Sequence, residues 1–142
     1  MKKKKKKKKN ILIVDDDITT SSKYKKWLED EGEFNLTLIN DPKMAEVNFK
    51  LQNYDLVLIG FRMSIVDGFD LYQKLLEISK VQYSSPKEFR ICFLTSSLIN
   101  FNALTELYSS EMAKECYVPK HVPKDIFIKH VHAVMSSSPC LP

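Results

Sequence analysis

Residues 54–68 read YDLVLIGFRMSIVDG, from Tyr54 to Gly68. Within them Leu56-Val57-Leu58-Ile59 is an unbroken apolar run, and Asp67-Gly68 closes the loop that follows. Four apolar residues bounded by turn signals read as a strand buried on both faces, the signature of a parallel sheet. Open parallel sheets bind ligands beyond the carboxyl ends of their strands. Position 60 is therefore the first place to look for chemistry, and it is Gly60, without a side chain.

The flanking chain repeats the pattern. Ile11-Leu12-Ile13-Val14 reads as a second central strand, with Asp15-Asp16-Asp17 at its carboxyl end. A first helix is predicted from about Ile18 to Asp30, with Tyr24, Trp27 and Leu28 on one face and Gly32 just past its end. Phe34 to Ile39 alternates apolar and polar, as a strand nearer the sheet edge does. Asn40 or Asp41 suits a second helix's cap, Pro42 its first position, and Met44, Val47 and Leu51 its buried face. A third helix is predicted from Gly68 to about Ser79, with Leu71, Leu75 and Ile78 inward. Residues 81–88 are a polar loop. Arg90 to Leu94 is a fourth strand ending at Thr95. A fourth helix is predicted over 99–113, with Leu104, Leu107 and Tyr108 inward. Tyr117-Val118 is a short fifth strand before Lys120. A fifth helix runs from Pro123 to about Met135, with Phe127, Val131 and Val134 inward and Ile126 and Ile128 exposed. Strand and helix alternate five times, at lengths suited to right-handed crossovers. The fold class is thus α/β, a doubly wound (βα)5 parallel sheet. The expected divisions are a disordered lysine tail over 1–10, one domain over 11–135 and a loose tail over 136–142.

Composition narrows the function classes. The 142 residues suit a single core, and no apolar run approaches the ~20 residues of a membrane span. Only Ile11 to Val14 follow the lysines, too few for a signal peptide. The formal charge of +4 hides an asymmetry: Lys2 to Lys9 hold much of the positive charge, and the remainder is mildly acidic. A block of like charge repels itself and stays solvated, yet each lysine is also able to displace a counterion from nucleic acid or an anionic membrane. Cys92, Cys116 and Cys140 form no C-x-x-C pair, and the histidines show no metal-ligand spacing. Free thiols without a secretion signal point to the cytoplasm.

An acidic pair after the first strand, D-G after the third, Thr ending the fourth and Lys after the fifth together resemble the receiver domain of two-component response regulators. The resemblance covers roughly residues 10–135. It implies the flavodoxin-like strand order 2-1-3-4-5. It implies Asp15, Asp16 and the backbone carbonyl of Arg62 as Mg²⁺ ligands, and Thr95 and Lys120 as partners of a phosphoryl group. Phosphorylating a carboxylate requires a metal to neutralise the phosphoryl oxygens, hence the acidic ligands. In the family an Asp at the position of Gly60 accepts the phosphoryl group. Here it is missing: Asp55 is too far back along the strand, Asp67 and Asp70 lie beyond the loop, and Ser64 offers only a hydroxyl. Asp15 and Asp16 repel each other and require a cation, which Arg62 or Lys120 would supply in place of Mg²⁺. His121 stands where the family has Pro. Tyr117 occupies the family's aromatic switch position on the fifth strand.

The expectation is an atypical receiver that lacks the phosphoacceptor and is not an enzyme. It would bind Mg²⁺ weakly and act through protein contacts: a sensor kinase or other signalling partner, or a homodimer through the fourth helix, fifth strand and fifth helix, with Ile126 and Ile128 at the interface. Because the chain ends after the fifth helix, it reads as a stand-alone module. Two alternatives stand beside it. One is a phosphorylatable switch using another residue; the other is a nucleic-acid-associated protein using the lysine tail.

Overall fold

The computed structural model describes residues 7–83, 90–96 and 117–136. Five parallel strands form one sheet in the order β2-β1-β3-β4-β5. They are β1 (Lys9–Val14), β2 (Phe34–Ile39), β3 (Leu56–Gly60), β4 (Arg90–Thr95) and β5 (Tyr117–Pro119). The helices are α1 (Ile18–Asp30), α2 (Ala45–Leu51), α3 (Gly68–Gln82) and α4 (Lys124–Ser136), the last being the sequence's fifth. The helix predicted over 99–113 lies outside the described residues, as does the tail after Ser136.

The strand β3 is buried along its whole length, and so is β1 from Ile11 to Val14. Alternation along these strands divides the core in two. Leu12, Val14, Val57, Ile59, Ile91 and Phe93 face α2 and α3. Ile11, Ile13, Leu56, Leu58, Cys92 and Leu94 face α1 and α4, where Tyr24 stacks on Phe127 at 4.3 Å. A two-sided core is what makes the central strands apolar throughout. Burial also pushes the Cys92 thiol up to about 12, so this cysteine is inert at neutral pH.

The structure corrects several expectations. The first strand begins at Lys9, inside the stretch read as tail: Lys9 pairs with Phe34, and its N–H donates to the Glu33 carbonyl at 3.1 Å. The face read as buried on the second helix is outward instead. Met44, Val47 and Leu51 are 46%, 53% and 74% exposed, while Ala45 and Phe49 are fully buried. Pro42 to Met44 form a 3₁₀ turn capped by Asp41, whose side chain accepts from the Lys43 N–H. That turn delays the helix and rotates its inward face. On α3, Tyr72 and Ser79 join Leu71 and Leu75 in the core, while Ile78 is only partly buried.

On α4, Phe127, Val131 and Val134 are inward as expected, and Ile126 is 42% exposed. Ile128 is corrected: it is partly buried and packs on the cluster shared with α1. Both isoleucines lie one helical step of 100° from Phe127, but only Ile128 is on the side that meets the cluster shared with α1. The two isoleucines should therefore behave differently. Ile126→Lys should leave the urea midpoint almost unchanged. Ile128→Lys should cost about 1–2 kcal/mol, the range for exposing part of an apolar side chain.

Candidate functional site

The carboxyl ends of β1, β3, β4 and β5 converge on one acidic pocket. In the β1–β3 register Val14 lies beside Ile59, so the next residues, Asp15 and Gly60, are neighbours. Asp15 is completely buried. Its Oδ1 accepts from the Asp17 N–H at 3.0 Å. The Lys120 ammonium stands 2.5 Å from Oδ2, with both side chains nearly withdrawn from water (10% and 0% exposed). The contact is an ion pair held by Coulomb attraction in a low-dielectric site, where such attraction is strong.

Position 60 is the other half of the arrangement. A Cβ added there would lie 3.0 Å from Asp15 Cγ and 3.1 Å from Oδ1. The Asp15 carboxylate thus stands against the place from which a side chain at residue 60 would grow. The next glycine is there for a different reason. A Cβ on Gly68 would overlap the Gly60 carbonyl oxygen and lie 2.8 Å from that of Phe61. Only glycine allows α3 to start this close to the end of β3.

The acidic run divides its work. Asp17 caps α1, accepting from the Thr20 N–H at 3.1 Å. Asp16 reaches across to the loop after β3, where Ser64 donates both its backbone N–H (2.6 Å) and its hydroxyl (2.7 Å) to Oδ2. Those Ser64 bonds, assisted by the Lys120 charge, hold the Asp16 carboxyl below its ordinary value of 3.8. The depression means that the stabilisation is present above pH 3.8 and is lost as the pH falls through the folded-state value. Ser64→Ala should return the titration of Asp16 toward 3.8, as read by carbon-13 NMR of its carboxyl; an unchanged titration would show that Ser64 does not set it.

Lys120 is positioned by backbone on both sides. Its N–H donates to the Thr95 carbonyl at 2.9 Å, and the next N–H, that of His121, donates to the Tyr24 hydroxyl at 2.8 Å. His121 takes a left-handed φ of 59°, which costs a non-glycine residue energy unless its surroundings hold it there. The Tyr24 bond is one such hold. Thr95 is buried at the end of β4, and Tyr117 is half-buried beside Phe93, on the same face of the sheet as Thr95. Arg62 is exposed and makes no ion pair within the described residues. It does not replace the metal; Lys120 is the cation beside Asp15. Asp55 lies at the far end of β3 and accepts from the Asn10 N–H.

Sequence reasoning missed two positioning residues. Asn40 donates to the Asp15 carbonyl (2.8 Å) and the Ser21 hydroxyl (3.0 Å), tying the β1 and β2 ends together. Tyr24 was legible as core, but its hydroxyl's role was not. For Asn40 the one local signal is an Asn directly after an edge strand, and that reads equally well as a helix cap.

The response regulator receiver domain family matches residues 11–132. The chain belongs to that family. Among solved structures this receiver is similar to the chemotaxis protein CheY4 of Vibrio cholerae, at 16% identity and TM-score 0.72 over 90% of this chain and 99% of that one. It is similar to a two-component response regulator from Clostridium difficile, at 24% identity and TM-score 0.70 over 92% and 100%. It is also similar to TrrA from Thermotoga maritima, solved in complex with Mg²⁺-BeF, at 26% identity and TM-score 0.66 over 89% and 98%. No curated protein matches it. The first two likenesses show the fold alone, with the same strand order. The chain is a receiver of two-component signalling, and no helix among its described residues is long and apolar enough to cross a membrane.

The residues present fit Mg²⁺ poorly. Asp15 Oδ2 has lone pairs to offer, but Lys120 already faces it. Asp16 Oδ2 is taken by Ser64, and Gly60 contributes no carboxylate. No cluster of three or more metal-ligating side chains occurs among the described residues. Octahedral oxygen coordination would require Lys120 to withdraw first.

Proposed function

We propose that this receiver signals without phosphorylation, by protein contacts alone. The observation that carries the reading is the buried Asp15–Lys120 pair standing against Gly60. A receiver's phosphoacceptor must be a nucleophilic carboxylate, and residue 60 has none. The two groups that would otherwise handle metal and phosphoryl charge neutralise each other instead. In this reading the pair fixes the β5 end and the Thr95–Tyr117 face in one arrangement, which a partner recognises as it stands. The protein is then not an enzyme, and Mg²⁺ binds weakly because it competes with an ammonium already in place. The partner is a sensor kinase or another protein of the same signalling pathway, with Ile126 at the edge of the contact surface.

Amide hydrogen exchange tests it. With Mg²⁺ and a small-molecule phosphodonor added together, protection across β4, β5 and α4 should be the same as without them. A phosphodonor-dependent change in those elements would contradict the proposal.

A further inference from the structure

At the amino end of the sheet, opposite the acidic pocket, the charge reverses. Lys9 and Asn10 open β1, Asp55 precedes β3, and Arg90 opens β4. Ile11 pairs with Leu56, and Leu56 with Arg90, so Arg90 lies two strands across from β1, about 10 Å at ordinary strand spacing. Between them is a cavity of about 510 Å³ lined by Lys7, Lys8, Lys9 and Arg90 against one carboxylate, Asp55. That carboxylate is occupied by the Asn10 N–H at 2.7 Å. Arg90 makes no ion pair among the described residues, and its buried Nε has no hydrogen-bond partner there. The Nε is closed off from solvent, but Arg90 as a whole is only partly buried and lines the cavity, so its positive charge is presented to an anion there. A second groove, about 620 Å³, shares Lys7–Lys9 and adds His132 together with one carboxylate, Glu33.

We propose that this end of the sheet is a nucleic-acid site that grips the phosphate backbone without reading sequence. Three consecutive lysines lead into and open β1, with Arg90 set two strands across from them. That suits a polymer carrying one charge per ~1.7 Å of duplex better than a single small anion. The Tyr83 hydroxyl is spent on the Tyr54 N–H and carbonyl and is not free to read bases. A lipid surface is the poorer fit, because none of the exposed large apolar residues (Ile18, Met44, Val47, Leu51, Ile65, Val81 and Ile126) lines either cavity. The acidic pocket at the other end of the strands would repel the polymer and orient the receiver with its signalling face outward. The five lysines Lys2 to Lys6 precede this site in the sequence and would add to its affinity.

The test is fluorescence anisotropy of a labelled mixed-sequence DNA duplex between 50 and 200 mM salt, with the fluorescence of Trp27 reporting the fold of each variant. Binding should weaken steeply with salt. Lys8→Gln/Lys9→Gln should flatten the log–log slope by about 2, close to 0.9 per lysine. Arg90→Gln should flatten it by about 1; if that variant does not fold, the double lysine variant decides alone. Removing residues 2–6 should leave salt-dependent binding that still requires Lys8 and Lys9. The proposal is overturned if that removal abolishes binding, if the folded Lys8, Lys9 and Arg90 variants bind like the parent protein, or if phosphatidylserine vesicles bind more tightly than the duplex at equal salt.

Discussion

Lys120→Met is expected to lower the unfolding free energy by about 3–5 kcal/mol, the range for removing one partner of a buried ion pair. Asp15 is completely buried, and Lys120 is the cation that faces it. Without the ammonium, the carboxylate keeps the Asp17 N–H on Oδ1 and has nothing on Oδ2. The loss measures an abandoned charge rather than the net worth of the pair, so removing both charges should cost much less. Asp15→Asn/Lys120→Met should therefore recover most of the stability, and the double-mutant cycle should show strong coupling. Lys120→Met should also gain stability from millimolar Mg²⁺ that the parent protein does not gain, because a metal can then take the vacant cation position. Urea denaturation of the four proteins, with and without Mg²⁺, gives all of these values. A Lys120→Met protein within about 0.5 kcal/mol of the parent, the spread typical of neutral surface changes, would mean that the pair does not organise the site.

Gly60→Asp is expected to destabilise by about 2–4 kcal/mol without metal. Steric crowding of about 1–3 kcal/mol is joined by like-charge repulsion. The crowding is specific: a Cβ at residue 60 meets Asp15 Cγ at 3.0 Å and Oδ2 at 3.3 Å. Asp15 cannot simply swing aside, being held between the Asp17 N–H and Lys120. Gly60→Ala isolates the crowding and should cost the smaller part. Mg²⁺ should restore the electrostatic part of the Gly60→Asp loss and none of the Gly60→Ala loss. A Gly60→Asp protein as stable as the parent in chelator would show that Asp15 yields easily, and that the site still has room for an acceptor carboxylate.

The central strands were legible because their chemistry is local; their order in the sheet came only from the resemblance to receivers. Leu56 to Ile59 and Ile11 to Val14 are apolar on both faces, and only a covered parallel sheet buries both. Phe127, Val131 and Val134 were legible for a similar reason: α4 is 13 residues long, enough turns for a 3.6-residue period to declare itself. The second helix has seven residues and two apolar stripes, Met44-Val47-Leu51, which begins at its cap, and Ala45-Phe49. Two turns are too few for periodicity to choose between them, and the 3₁₀ turn at Pro42 decided the matter. The acidic run shows the same limit at the site. Three identical residues take three roles, and only the tertiary partners distinguish them: Lys120 for Asp15, Ser64 for Asp16, and the α1 N-terminus for Asp17. The bonds that place Lys120 and Asp15 join residues far apart in the chain, Tyr24 with His121 and Asn40 with the end of β1. No local pattern encodes them.

The most direct test of phosphorylation independence is the intact mass of the protein after incubation with Mg²⁺ and a small-molecule phosphodonor. With Gly60 at the acceptor position and Lys120 bound to Asp15, the mass should stay that of the unmodified chain. A hydroxylamine-sensitive phosphoryl adduct in substantial yield would show that another carboxylate serves as acceptor, and would contradict the account.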